Sequence, residues 1–309
     1  MSGGDRILGT TDAETMKRRA TWAAVGVAGI LVLLKAGAWA WTGSVSLLAS
    51  LIDSGLDILA STLNLFAVRH ALEPADREHR FGHGKAEALA GLGQAMFIGG
   101  SGFFLAFEAL SRLIRPEPVE SGWIGIGVML ISLVLTLGLV WYQQQVLAKT
   151  HSVAIAADRF HYVTDIASNL AVLSALILVT ASGWQIADPL MGLAIAAFIL
   201  WGAFQIIRGA YDELMDREMS DAERAQIKAL VRGHPGVLSL HDLKTRRAGH
   251  KVFVQLHLDL PPDMTLREAH VISDRVEQNI MTAFPGAEVI IHQDPEGVEE
   301  PRQDHLVER

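Results

Sequence analysis

Two pairs of ionisable residues stand four apart in otherwise apolar sequence: Asp53 and Asp57 in "LIDSGLDIL", and His161 and Asp165 in "DRFHYVTDIASN". That spacing puts both members of a pair on one face of a helix. One imidazole and three carboxylates make a four-ligand set suited to tetrahedral zinc and acceptable to other first-row divalent ions. The competing reading is a group of proton-relay or packing residues that holds no metal. An ionised carboxylate at the centre of a membrane helix costs about 2.5 to 3.5 kcal/mol, so three cost on the order of 10 kcal/mol. A divalent cation offsets that charge.

The surrounding chain has the composition of a membrane protein: half of its 309 residues are apolar and its mean hydropathy is positive. Six segments are long enough, at about 20 residues each, to cross a bilayer core of about 30 Å: residues 21–41, 45–71, 88–110, 122–147, 153–181 and 189–207. The first follows Lys17, Arg18 and Arg19 but is too long for the apolar region of a signal peptide, so it reads as a retained helix. Lys17 to Arg19, the loop from Arg69 to Lys85, Lys149 and Arg208 fall on one side, against Arg112 and Arg115 on the other. Positive-inside counting places both termini in the cytoplasm; the expected location is the cell inner membrane. Lys35 lies inside the first segment; its stem can carry the ammonium to the outer face, and it is given no role.

Depth brings the two pairs together. The second segment enters from outside near Ser44, which places Asp53 about 13 Å and Asp57 about 20 Å deep at 1.5 Å per residue. The fifth enters from inside near Ser152, which places His161 about 13 Å and Asp165 about 20 Å from the opposite surface. Asp57 is then level with His161, and Asp53 with Asp165. Asn64 and Asn169 continue the same faces and suggest a wetted path.

Beyond Arg208 charged residues recur every few positions and the periodicity changes. A helix is expected at 221–232, strands at 237–245 and 252–260, a helix at 266–284 and a strand at 287–292. The fold class is thus an α-helical membrane protein: a six-helix transmembrane domain at 16–210, then a cytoplasmic αββαβ domain at 211–295. Disordered ends are expected at 1–15 and 296–309. In "VFVQLHLDL" the valines and leucines alternate with Phe253, Gln255, His257 and Asp259, so His257 is off the core face. His292 and Asp294 share a face opposite Val289 and Ile291, and His241 lies opposite Leu238 and Leu240. One sheet face is left for a partner.

"LIDSGLDIL", "FGHGKAEALAGLGQ", "DRFHYVTDIASN", "HDLKTR" and "IIHQDP" together resemble the cation diffusion facilitators, in their bacterial zinc and ferrous-iron efflux branch. The likeness runs from about Lys17 to Pro295. It implies six transmembrane helices, a metallochaperone-like (ferredoxin-like) cytoplasmic domain, a homodimer, and exchange of metal for protons. It also implies a transport site of Asp53, Asp57, His161 and Asp165, and a second zinc site of Asp76, His79 and His83 in the inner loop. A third set, His241, His257, His270, His292 and Asp294 with Gln293 able to assist, would hold metal in the cytoplasmic domain. Lys85 and Asp216 match an interlock between the two domains. His234 and His250 fall outside the motifs.

The function that follows is secondary transport: export of Zn2+, Cd2+ or Fe2+ in exchange for protons, by alternating access. The alternative is a membrane-anchored metal sensor without transport, which leaves the midplane cluster idle. A metal-dependent enzyme fits poorly, because none of the twelve histidines is followed by glutamate and the HExxH arrangement is absent. Histidine among the ligands disfavours manganese, magnesium and calcium, and the lack of cysteine with hard carboxylates disfavours copper(I). The formal charge of -8 comes largely from the polar tail and gives no hint of nucleic-acid binding.

Overall fold

A computed structural model describes residues 10–43, 45–114, 123–182 and 186–297. The chain divides into two compact units, one from Thr11 to Tyr211 and one from Asp212 onward. The first contains six long helices: α1 (Thr10–Thr42), α2 (Val45–Ala71), α3 (Ala86–Ile114), α4 (Trp123–Thr150), α5 (Val153–Ser182) and α6 (Ala187–Leu214), the last running three residues past the unit's end. Among the described residues, α1, α2, α3, α4 and α6 are apolar enough to cross a membrane. With 30 residues α5 is also long enough, and its charged and histidine residues Asp158, Arg159, His161 and Asp165 all fall in its first half.

α1 starts well before the expected residue 16. Its first turns, "TTDAETMKRRA", contain good helix formers, and Asp12 stands where the helix dipole favours an anion. This extension has a packing role. Lys17 is fully buried and its Nζ lies 2.6 Å from Glu87 Oε1 on α3, while Ser152 Oγ, just before α5, donates to the other oxygen of Glu87. Lys17, which charge counting assigns to the cytoplasmic side, fastens α1 to α3. The remainder of the expected disordered ends, residues 1–9 and 298–309, lies outside the described residues, as do Arg115 and the start of the fourth segment at residue 122.

A second polar tie crosses the helices beside the face of α5 that bears His161 and Asp165. Asp158, 1% exposed, accepts hydrogen bonds from Gln94 Nε2 of α3 (3.0 Å), Gln143 Nε2 of α4 (2.6 Å) and Ser61 Oγ of α2 (3.5 Å). Ser61 also meets the Tyr162 hydroxyl at 2.9 Å. On the neighbouring face of α5, Phe160 lies against Gly202 of α6, where a Cβ would fall 1.7 Å from the ring. Without a side chain at Gly202, the Phe160 ring can lie against the α6 backbone.

In the second unit α7 (Asp221–Arg232) and α8 (Leu266–Ala283) accompany strands β1 (Ser239–Ala248), β2 (Lys251–Leu260) and β3 (Glu288–Pro295). The element order is the expected αββαβ. Each helix begins with a capping box, Ser220 with Glu223 and Thr265 with Glu268, which satisfies otherwise unpaired N–H groups. Strand order is β1-β2-β3, with β1 antiparallel and β3 parallel to the central β2. α8 supplies the crossover that a parallel pair requires. Ile227 and Val231 of α7, Val254 and Leu256 of β2, and Val276 and Ile280 of α8 are at most 1% exposed and share one core. β1 outruns its expected end at residue 245 because Arg246 and Arg247 have partners: Arg246 lies 4.2 Å from the Phe253 ring centroid, and Arg247 pairs with Glu223.

The Lys17–Glu87 pair yields a stability prediction. Truncating one partner of a buried ion pair costs about 3 to 5 kcal/mol because a charge is left uncompensated. Glu87→Ala should therefore lower the melting temperature of the detergent-solubilised protein sharply, and pairing it with Lys17→Met should recover most of the loss. An unchanged melting temperature for Glu87→Ala would contradict the pairing.

Candidate metal centres

α2 and α5 together carry the membrane cluster. His161 Nε2 is 2.9 Å from Asp57 Oδ1 and 3.9 Å from Asp165 Oδ2, and ligand atoms of all three residues lie within 4.8 Å of one another. Ligand bonds of about 2.0 to 2.2 Å to a tetrahedral ion require ligand separations of roughly 3.3 to 3.6 Å. The two measured separations bracket that range, so small side-chain adjustments suffice. Asp57 is buried, and the His161 and Asp165 side chains are 12% and 35% exposed.

Asp53, the expected fourth ligand, stands outside this group. It is exposed and one turn away from Asp57 on α2. Lys35 also departs from expectation. Its Nζ donates to Ser54 Oγ at 2.6 Å and to Ser50 O at 3.2 Å, so the ammonium is turned sideways onto α2. Asn64, expected to line a wetted path, is 3% exposed and donates to Ala154 O of α5 at 3.4 Å. Asn169 is half-buried on α5.

The loop between α2 and α3 assembles a second group from Asp76, His79 and His83. Asp76 Oδ1 is 3.4 Å from His79 Nδ1, and Asp76 Oδ2 is 3.4 Å from His83 Nε2. Asp76 also accepts from the backbone N–H groups of His79 (2.6 Å) and Glu78 (2.9 Å). The His79 N–H, foremost, holds its carboxyl below the usual carboxylate range. A lowered value means that the folded loop favours the ionised form. This preference is present above the usual range and lost as pH falls through the lowered value. The His70 ring packs 4.5 Å from that of His83, and His70 Nδ1 contacts Glu73 Oε2 at 2.8 Å.

On the sheet, strand register places His241, His257 and His292 directly beside one another across β1, β2 and β3. Adjacent ring centroids are 5.0 and 4.7 Å apart, close to the spacing of neighbouring strands. Asp294, 6% exposed, gathers all three: its carboxylate lies 2.8 Å from His257 Nδ1, 3.1 Å from His292 Nε2 and 3.5 Å from His241 Nε2. A bulge at Asp242, where φ is +50°, lets His241 keep the open face while Leu243 enters the core.

Two residues assigned to this set point elsewhere. His270 is exposed on α8, with Nδ1 3.5 Å from Asp274 Oδ1 one turn on. Gln293 donates to Ser273 Oγ of α8 at 2.9 Å, because strand alternation sends it to the face opposite His292 and Asp294. Asp216 follows α6 and accepts from Arg246 Nη1 at 3.1 Å; Lys85 immediately precedes α3. His234 buries an Nδ1 without a hydrogen-bond partner among the described residues, and His250 stands in the turn between β1 and β2.

Sequence reasoning passed over Asp158, although it opens the quoted "DRFHYVTDIASN". The available signal was its place one turn before His161, together with amide side chains at Gln94 and Gln143 in other apolar segments. Spacing within one helix does not reveal partners drawn from three others.

A family model for the cation efflux transmembrane domain matches residues 21–215, and one for the cation efflux protein cytoplasmic domain matches residues 219–296. The chain is similar to the cation-efflux pump FieF of Klebsiella pneumoniae subsp. pneumoniae, 48% identical over 291 residues that cover 94% of this chain and 97% of the pump. It is also similar to FieF of Yersinia pestis (strain Pestoides F), 49% identical over 278 residues that cover 90% of this chain and 92% of that one. A solved metal-bound C-terminal domain of the CzcD transporter from Thermotoga maritima is 24% identical with a TM-score of 0.25, and covers 26% of this chain and 100% of that chain. With matches to both domains in succession, the chain belongs to the cation efflux family.

Proposed function

We propose that this protein exports a divalent transition-metal ion, Zn2+ foremost and also Cd2+ or Fe2+, from the cytoplasm in exchange for protons. The observation that carries the reading is the 2.9 Å contact between His161 Nε2 and Asp57 Oδ1 within a group that also includes Asp165. A bare imidazole nitrogen and an ionised carboxylate both lack a donor, so a hydrogen bond between them contains a proton. A metal ion taking the same two atoms displaces that proton. Metal and proton thus compete for one site, which is the requirement for antiport.

On this reading the chain lies in the cell inner membrane with both termini cytoplasmic, and two copies form a homodimer. Asp57, His161 and Asp165, joined by Asp53 when the ion arrives, bind the cargo, and the helices rock to expose it outside. Asp76, His79 and His83 take up metal at the cytoplasmic surface. His241, His257, His292 and Asp294, with His270 from the helix, bind metal that stiffens the dimer.

Asp57→Ala should abolish zinc uptake into inside-out vesicles while leaving a folded protein by size-exclusion chromatography; undiminished uptake would sink the assignment. Acidifying the cytoplasmic side should weaken zinc binding at the midplane, because ligation needs neutral imidazole and ionised carboxylates. An affinity that stays constant from about pH 5.5 to 8 contradicts proton exchange. In the cytoplasmic domain, zinc at about 100 times its dissociation constant should raise stability by about 2.7 kcal/mol. Asp294→Ala should remove most of that gain, as read by zinc-dependent melting of the full chain, and an undiminished gain would place the metal elsewhere.

A further inference from the structure

Lys35 has no part in the transport reading, yet its position is specific. It lies seven residues before the end of α1 at Thr42, about 10 Å by helical rise. A lysine at that depth has a stem long enough to reach toward the interface. Instead its ammonium donates to Ser54 Oγ, whose residue is 1% exposed, and to the Ser50 carbonyl. Ser50, Asp53, Ser54 and Asp57 occupy positions i, i+3, i+4 and i+7 of α2 and therefore one helical stripe. The lysine is docked on the face that bears both carboxylates.

Charge counting gives that placement a meaning. Asp53, Asp57 and Asp165 carry three negative charges when ionised, and a divalent ion with neutral His161 leaves one uncompensated. Net charge in hydrocarbon is costly, and an intramembrane ionisable group calls for a partner. One lysine makes the loaded site neutral. An ammonium has no lone pair, so Lys35 is not a ligand. Its fixed charge repels the bound cation while stabilising the carboxylates.

Resting on the reading of Asp57, His161 and Asp165 as the cargo site, we propose that Lys35 is the resident counter-charge of that site. Docked on Ser54 and Ser50, it sets metal affinity low enough for release. It is a positioning residue acting through the field at the carboxylates.

The test measures zinc-dependent transport in proteoliposomes over a range of zinc concentrations for Lys35→Gln, Lys35→Met, Lys35→Arg and Asp57→Ala, each checked for folding by size-exclusion chromatography. Gln keeps a hydrogen-bond donor for Ser54 and Ser50 without the charge; Arg keeps the charge. Loss of the charge should lower both KM and kcat, each by at least about tenfold, the size expected for one unit charge about 12 Å away at an effective dielectric near 20. Arg should preserve both within about twofold. If Gln retains the wild-type KM and kcat, Lys35 is only a tether and the proposal is overturned. A raised KM in Gln or Met overturns it as well. If Asp57→Ala still transports normally, the cargo-site reading itself fails and the proposal with it. A dead Asp57→Ala beside an unshifted Lys35→Gln rejects the counter-charge alone.

Discussion

An ionised group inside a hydrocarbon layer must be met by another group, and the membrane unit is organised around that requirement. The hydrogen bond between His161 and Asp57 joins α5 to α2. Glu87 is met by Lys17 and Ser152, and Asp158 by two glutamines and a serine. These contacts add direction to a bundle whose apolar surfaces are no better solvated by one another than by lipid. Leu and Val side chains give the helices length and depth; the polar contacts select which faces meet.

The second unit solves a related problem in water with a different element. Three histidines at scattered sequence positions become neighbours because antiparallel β1 and parallel β3 flank β2 in matching register. Burial of the opposite face fixes that register, since a slip of one residue would exchange the histidines for the leucines and valines of the core. The bulge at Asp242 is the local adjustment that serves both faces. The same ligand types are thus assembled by helical pitch in one unit and by strand pairing in the other.

These two periodicities also determine what could be read in advance. Rise per residue is fixed, so depth counting could bring Asp57 level with His161, and alternation could put His257, His292 and Asp294 on one sheet face. Azimuth is not fixed by rise. Nothing in the spacing of α1 said that Lys35 turns toward Ser54 and Ser50, and nothing in "LIDSGLDIL" said that Asp53 stands apart from the other carboxylates. Partners drawn from several helices were equally hidden, and so Asp158 went unassigned. Gln293 is a different kind of miss: alternation already placed it beside Val289 and Ile291, toward α8, and motif resemblance overrode that parity.

The mechanical difference between the clusters follows from how their ligands are held. On the sheet, His241, His257 and His292 sit on strands joined by backbone ladders, interrupted only at the bulge after His241, so their spacing cannot change without breaking several hydrogen bonds. In the membrane, Asp57 belongs to one helix and His161 and Asp165 to another, and the helices are joined not by a backbone ladder but by contacts that each use a side chain, such as Ser61 with Tyr162 and Asn64 with the Ala154 carbonyl. Helix backbones satisfy their own hydrogen bonds, so sliding or tilting α2 against α5 exposes no unpaired peptide group to lipid. A site divided between such helices can open without unfolding its supports, whereas a site across a ladder cannot.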